Sequence, residues 1–292
     1  MPKPVEHPIK TLTQFTERIE EALLSTKTRY SSDPTAINWY RGTGMSAGWK
    51  LKPALYRHPD YTEANDLLKL ERKLLSSFRR EAILYKPTNM SLTSSIVDTG
   101  TDYQYLFFMQ HYGIPTRLLD WTGNPFIALY FALTSAPYDT KAKGYVDDAA
   151  VWILDPTAWN NKSLEDIKYG DSGAVTFGGR GSDGYAPSKS DDEVDLKQIY
   201  DYPIAMYGIA NNTRMFAQKG VFTIFGRKIE PMETIYEDQG YPTESLIKLV
   251  VDKSDIERMM KLVLSIGYTD SVSYPDLQGL ALEIKRFHNF KV

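Results

Sequence analysis

The stretch from Gln110 to Ala132, QHYGIPTRLLDWTGNPFIALYFA, constrains the fold more than any other part of the chain. It sets a turn, a short extended segment and a helix start one after another, with chemically active side chains in each. Gly113 and Pro115 punctuate the turn. Thr116 to Trp121 mixes apolar and polar residues as a brief strand would. Asn124 supplies an N-cap acceptor, and Pro125 a first helical residue that needs no donor. Phe126, Leu129, Tyr130 and Leu133 then recur at helical spacing. A polar cluster between a turn and a helix N-terminus is suited to binding an anion or a phosphate. Arg117 and Asp120 also admit a second reading, a buried ion pair that fixes the core.

The flanking patterns build a scaffold around this stretch. Thr11 and Gln14 form a capping-box pattern ahead of Phe15, Ile19 and Leu23, a core-facing stripe. Ile37 to Gly42 is rich in strand formers and closed by glycine. Gly42, Gly44 and Gly48 follow without the Gly-Lys-Ser/Thr of a P-loop. Arg41, at the end of that strand, offers a rigid fork of donors for phosphate or carboxylate. Pairing with a carboxylate such as Asp120 is the alternative. The ligand reading is preferred because the glycines would let a ligand approach the backbone.

Asp66 to Tyr85 reads as a long helix with Leu67, Leu70, Leu74, Phe78 and Ala82 inward. Its basic residues Lys69, Arg72, Lys73, Arg79 and Arg80 would allow contact with nucleic acid, but they interleave with Glu71 and Glu81, and a solvated face is the preferred reading. Pro87 stops it, residues 88–101 read as loop, and Thr101 or Asp102 caps a helix running to Gln110. Ala149 to Leu154 is a buried strand ended by Pro156. Residues 160–200, glycine-rich and carrying the acidic run Ser190 to Glu193, read as a long mobile insertion, a lid or partner surface. Val221 to Phe225 and Leu246 to Val251 are strands, with Arg214 and Gln218 just before the first. Ser254 and Glu257 form a capping-box pattern for a helix through Leu264 closed by Gly267, and Asp276 caps the last helix. Strands and helices alternate without βαβ repetition. The expectation is an α+β fold, a mixed, mostly antiparallel sheet flanked by helices, in one domain over 1–292 with a helical part at 1–36.

Composition excludes several chemistries. There is no Cys, which removes disulfides, thiol nucleophiles and thiolate metal sites. His7, His58, His111 and His288 match no metal-ligand spacing, so no metal is expected. The net charge of −3 disfavours nucleic acid as a partner on electrostatic grounds, the Arg72 to Arg80 helix included. No run approaches the ~20 apolar residues of a membrane span, and a soluble, cytoplasmic protein is expected.

Four blocks of the chain together resemble the FRG domain family, named for a Phe/Tyr-Arg-Gly signature. Here that signature is Tyr40-Arg41-Gly42. The longest block is Gln110 to Gly113, Pro115 to Thr122, then Ala128, Phe131 and Ala132. Arg214, Gln218, Gly220 and Phe222 form a third block, and Pro275 to Leu277 with Gly279 and Leu280 a fourth. Members of the family are bacterial and phage proteins, often on mobile elements. The order of elements is also similar to ADP-ribosyltransferases of the Arg-Ser-Glu class. That second resemblance implies NAD as cofactor. Arg41 with Tyr40 and Gly42 would bind its phosphates, Thr122 its ribose, and Tyr112 or Trp121 would stack on nicotinamide. His111 and Asp120 would act as an acid–base or orienting pair. Those enzymes carry a catalytic Glu where this chain has Gln218, which lacks the carboxylate. Two function classes follow: an NAD-using transferase or glycohydrolase, and a non-catalytic module. In the module, Arg41, Arg117 and Arg214 form an anion pocket for a nucleotide, and residues 160–200 contact a host protein.

Overall fold

The computed structural model describes residues 3–31, 33, 36–82, 85, 99–167, 173–176, 181–208, 217–288 and 290. Its strands are β1 (Val5–Ile9), β2 (Trp39–Thr43), β3 (Leu118–Thr122), β4 (Tyr138–Asp139), β5 (Gly144–Tyr145), β6 (Ala149–Leu154), β7 (Ile204–Met206), β8 (Gly220–Ile224) and β9 (Leu246–Val251). Seven of them form one sheet in the order β1-β9-β6-β2-β3-β8-β7, and β4 and β5 make a separate hairpin. Only β1 against β9 is parallel; the other pairs of the large sheet are antiparallel. The fold is α+β, as the sequence predicts. β1 goes unread in the sequence; it is an edge strand, where Pro8 costs no ladder bond.

Alternation of side chains divides the core. Ala149, Val151 and Ile153 of β6 join one buried cluster with Phe15 and Ile19 of helix α1 (Leu12–Arg29). Trp152 and Leu154 join another with Trp39, Leu119 and Trp121. A strand covered on both faces is apolar throughout, which is why AAVWIL reads as a continuous run. Helices α2 (Ala64–Ala82) and α3 (Thr99–His111) pack together near β3 and β8, and Leu75, Leu106 and Phe107 share a cluster with Leu118 and Phe222. α3 ends as the sequence predicts: Gly113, at φ +77°, lets its N–H reach Gln110 and the Ile114 N–H reach Met109.

Helix α4 (Pro125–Thr134) lies directly on β2. Its cap is as expected, with Asn124 accepting from the Phe126 N–H at 3.0 Å. A Cβ built on Gly42 would sit 2.0 Å from the Ala128 carbonyl oxygen, and one on Gly44 2.4 Å from that of Ser135. These glycines therefore serve backbone-to-backbone packing of α4 on β2, not the approach of a ligand. Beyond α4 come α5 (Pro156–Ser163), α6 (Glu193–Lys197), α7 (Met232–Gln239), α8 (Ile256–Ser265), α9 (Asp270–Ser273) and α10 (Leu277–Phe287). α5 and α7 go unread in the sequence; Pro156, taken as the end of a strand, is also the first residue of α5, capped by Asp155.

Three expectations fail. The described part of the 160–200 region is not a detached lid: Val175, Tyr185 and Leu196 are wholly buried, and the Tyr185 hydroxyl donates to the Tyr202 carbonyl at 2.6 Å. Glu71 does not lie on a solvated face, because the buried side of α2 carries Leu67, Leu68, Glu71 and Leu75. The Ser254–Glu257 capping box does not form either; α8 begins after Asp255, and the Ser254 hydroxyl donates back to Asp252 at 2.6 Å. Pro87, and Arg214 of the third block, lie outside the described residues. Among the described residues no helix is long and apolar enough to cross a membrane.

Candidate functional site

The sheet opens in its middle. β2 pairs with β6, and β3 with β8, over five registered positions each, but β2 and β3 share only Tyr40 opposite Thr122. Continued antiparallel pairing would set Gly42 opposite Asp120. Instead the strands part, and the Arg41 Nη1 donates to the Asp120 carbonyl oxygen. A guanidinium thus takes a carbonyl that the missing ladder leaves open.

A cavity of about 420 Å³ occupies this opening. Its polar lining includes Arg41, Asp120, Gln110, His111 and Gln218, and its apolar walls include Phe107, Phe131, Phe222 and Tyr274. Phe131 and Tyr274 meet edge to face at 5.7 Å. Phe222 lies opposite Asp120 across the β3–β8 ladder. A concave apolar wall with a few convergent polar groups is the usual form of a small-molecule site.

Asp120 is the carboxylate of this lining and is held in place by its neighbours. The Leu118 N–H donates to the Thr116 hydroxyl at 3.1 Å, and that hydroxyl donates to Gln110 Oε1 at 2.5 Å. This fixes the amide so that Gln110 Nε2 donates to Asp120 Oδ2 at 2.7 Å. Water reaches Asp120 from the cavity, while protein rings it on its other sides. That burial lifts its carboxyl above the usual range, with the Arg41 charge and the Gln110 hydrogen bond opposing the rise. Burial also lowers the Arg41 pKa from its ordinary value; Asp120 opposes the drop and Arg57 adds to it. Arg41 Nε is buried with no hydrogen-bond partner among the described residues. Arg41 thus brings a guanidinium charge to the lining of the cavity, where an anionic ligand group would pair with it.

The other expected site residues divide. Tyr40, Gly42, His111, Trp121, Thr122 and Gln218 all line the cavity with Arg41 and Asp120. Asp120 takes its hydrogen bond from Gln110, and the His111 ring packs against Tyr112 at 4.9 Å. Trp121 is a core residue: it is buried among the Trp39 cluster and its indole N–H donates to Thr223 Oγ1 at 3.1 Å, which leaves its ring no free face for stacking. Tyr112 is exposed and lies off the cavity lining. Thr122 donates its hydroxyl to the Gln218 carbonyl and accepts from the Asn124 N–H at 3.0 Å. The Gln218 amide donates to the Ser273 carbonyl at 2.8 Å, tying α9 to the start of β8. The Gln218 side-chain amide, expected beside the reacting groups, is thus engaged with the backbone of α9.

Arg117 is not in the site. It is wholly buried, with Nε donating to both Glu71 oxygens at 3.0 and 2.9 Å, Nη1 to the Phe225 carbonyl at 2.9 Å and Nη2 to the Tyr185 carbonyl. Burial works against its charge, and Glu71, with Tyr56 and Tyr103 nearby, more than offsets that. Asn124 likewise occupies the first donors of α4, so the expected anion cradle at that helix N-terminus is already filled. Gln110, Phe107, Phe131, Phe222 and Tyr274 were missed as site residues. Gln110 carried a signal: it is the amide that ends an otherwise apolar helix run, and the turn after it returns the chain to Asp120. Among the described residues no group of three or more His, Asp or Glu is placed to hold a metal ion.

No match to the chain is found among curated proteins or among solved structures. The family model of the FRG domain matches residues 36–141. That span holds β2, α3, β3 and α4, and with them every cavity residue from Tyr40 to Ser135, while Gln218, Gly220, Phe222 and Tyr274 come from beyond it. Over residues 36–141 the chain carries an FRG domain.

Proposed function

We propose that the cavity between β2 and β3 binds a nucleotide, NAD in the first instance, and that Asp120 promotes loss of its nicotinamide. One observation carries this reading: Arg41 and Asp120, 79 residues apart in sequence, meet at the parting of two central strands inside an aromatic-walled cavity. Arg41 holds a phosphate through the guanidinium it brings to the cavity lining. Phe107, Phe131, Phe222 or Tyr274 supplies the apolar face for a planar ring.

Cleavage breaks the bond between C1′ of the ribose and the nicotinamide nitrogen. The bonding pair leaves with neutral nicotinamide, and positive charge develops on the ribose. Asp120, a fixed carboxylate in a partly desolvated site, stabilises that charge. Water or a target nucleophile then bonds to C1′ and gives up its proton to Asp120. The raised pKa of Asp120 suits it to accept that proton. A role in phage–host conflict belongs to the same proposal and rests on the family resemblance.

A second reading, a nucleotide-binding module without catalysis, is favoured by Gln218, whose amide is spent on Ser273 and which brings no second carboxylate to the cavity. Calorimetry with NAD, with free nicotinamide followed by chromatography, separates the two. Binding with nicotinamide release that Asp120→Asn abolishes supports the enzyme. Binding without release supports the module, and no binding of NAD removes both nucleotide readings.

A further inference from the structure

The second large concavity, about 840 Å³, runs along α2 and shares no residue with the Arg41 cavity. Residues three and four apart on a helix lie on one face. On α2 that face reads Lys69, Arg72, Lys73, Ser76, Ser77 and Arg80, opposite the buried Leu67, Glu71 and Leu75. Lys73, Ser76, Ser77 and Arg80 are exposed, and Ser188 and Lys189 close the far wall. Among the described residues five cations line the groove against one carboxylate, Asp102, which Arg79 already engages. Arg80 pairs, among the described residues, only with its exposed neighbour Glu81, a contact worth little in water. Lys73 and Lys189 make no salt bridge among the described residues. The chain as a whole carries −3, so this groove departs in sign from the rest of the surface.

The spacing says what the groove fits. Lys69 to Arg80 covers about 16 Å at the ~1.5 Å rise of a helix. A single phosphate cannot contact cations over that length, whereas a nucleic-acid strand offers a charge roughly every 3.4 Å. The stripe is one helix face wide and walled by Lys189, which admits one backbone. The protein's own acid already tests the surface: Asp191 binds Arg72 at 2.7 Å, and its acidic neighbours continue into α6, which packs on α2. We propose that this groove binds the phosphodiester backbone of a single nucleic-acid strand, and that the acidic segment beginning at Asp191 competes for the basic end.

The test is fluorescence anisotropy of the full chain with a labelled single-stranded oligonucleotide of about 20 residues, at roughly 50 and 200 mM salt. Neutralising about three phosphates predicts a log–log slope near −2, so affinity falls about 20-fold over that range. Lys73→Glu with Arg80→Glu weakens binding by about tenfold or more while the thermal unfolding curve stays put, both side chains being exposed. Asp191→Asn strengthens binding a few-fold. Absence of binding at low salt, or binding that the double charge reversal leaves unchanged, overturns the proposal. So does displacement of the strand by an equal concentration of a phosphopeptide, which would assign the groove to phosphorylated proteins.

Discussion

Arg41 and Arg117 begin from the same chemistry and end in opposite situations. Arg117 immediately precedes β3 and Arg41 lies in the middle of β2, and both have a carboxylate within reach. Arg117 is sealed: Glu71 takes its Nε from both oxygens, and two backbone carbonyls from separate segments take the rest. Arg41 opens on a cavity, gives one donor to a backbone carbonyl, and keeps a buried Nε without a partner. The first joins α2, the end of β8 and the Tyr185 segment. The second holds charge where the fold does not use it. A satisfied guanidinium is a fastener; an unsatisfied one in a concave site is a place for a ligand.

The sharpest break of this comparison lies at Arg117. Arg117→Met leaves Glu71 buried without its cation and orphans two carbonyls, and is expected to cost about 3–5 kcal/mol in urea unfolding. Adding Glu71→Leu removes the stranded charge and should recover part of that loss, though not the carbonyl bonds. A single substitution costing under about 1 kcal/mol would mean that the pair is not sealed, and the contrast with Arg41 would collapse.

Gly42 comes next. Gly42→Ala places a methyl 2.0 Å from the Ala128 carbonyl and 2.5 Å from the Ala132 nitrogen, atoms of a helix backbone that cannot turn aside. α4 must lift from β2, at about 1–3 kcal/mol. Because Ala128, Phe131 and Ser135 of that helix line the cavity, nucleotide affinity should fall with stability. A variant as stable as the parent would show that the close approach is not needed.

These two positions also mark what the sequence could and could not reveal. Cap residues act locally, so Asn124 and Asp276 were legible and each accepts the expected backbone N–H. Runs of strand-forming residues are local too, and β6, β8 and β9 fell where predicted. Arg41 and Asp120 were legible as unusual residues beside apolar strands, although each lies at the middle of its strand and not at an end. Arg117 was not, since an Arg next to a strand looks the same whether it faces a ligand or Glu71. The signal lay elsewhere: Glu71 is four residues from both Leu67 and Leu75, on the apolar stripe itself, and an acid there demands a buried cation. Gly42 was read as room for a ligand because its spacing could not show which backbone would cross it. The parting of β2 from β3, on which the cavity depends, is a property of pairing between distant segments and leaves no mark in either.

Gln110 tests how firmly the site is built. Gln110→Ala removes the donor to Asp120 Oδ2 and the acceptor of the Thr116 hydroxyl, a loss of about 1 kcal/mol in stability. If the relay orients Asp120 for the proposed reaction, nicotinamide release should fall by about tenfold with NAD affinity nearly unchanged, since Gln110 acts through Asp120. Equal loss in both would instead make Gln110 a direct ligand contact.

Asp120→Asn should have the smallest effect on stability and the largest on function. The substitution keeps an acceptor for Gln110 and leaves the main-chain carbonyl that Arg41 uses. Its sign follows from the raised pKa. The folded chain holds the Asp120 proton more tightly than the unfolded chain does, so the stability linked to that group is complete at acid pH. It is lost as pH rises through the folded value. Asn cannot ionise and escapes the loss. The variant should therefore melt slightly above the parent at neutral pH, and the gap should close below the ordinary aspartate range of about 4. Thermal melts of both proteins across pH read this directly. A variant less stable than the parent at neutral pH would make Asp120 a fastener like Glu71. A more stable variant that no longer releases nicotinamide would identify a carboxylate kept at a cost to the fold, which is what a working site requires.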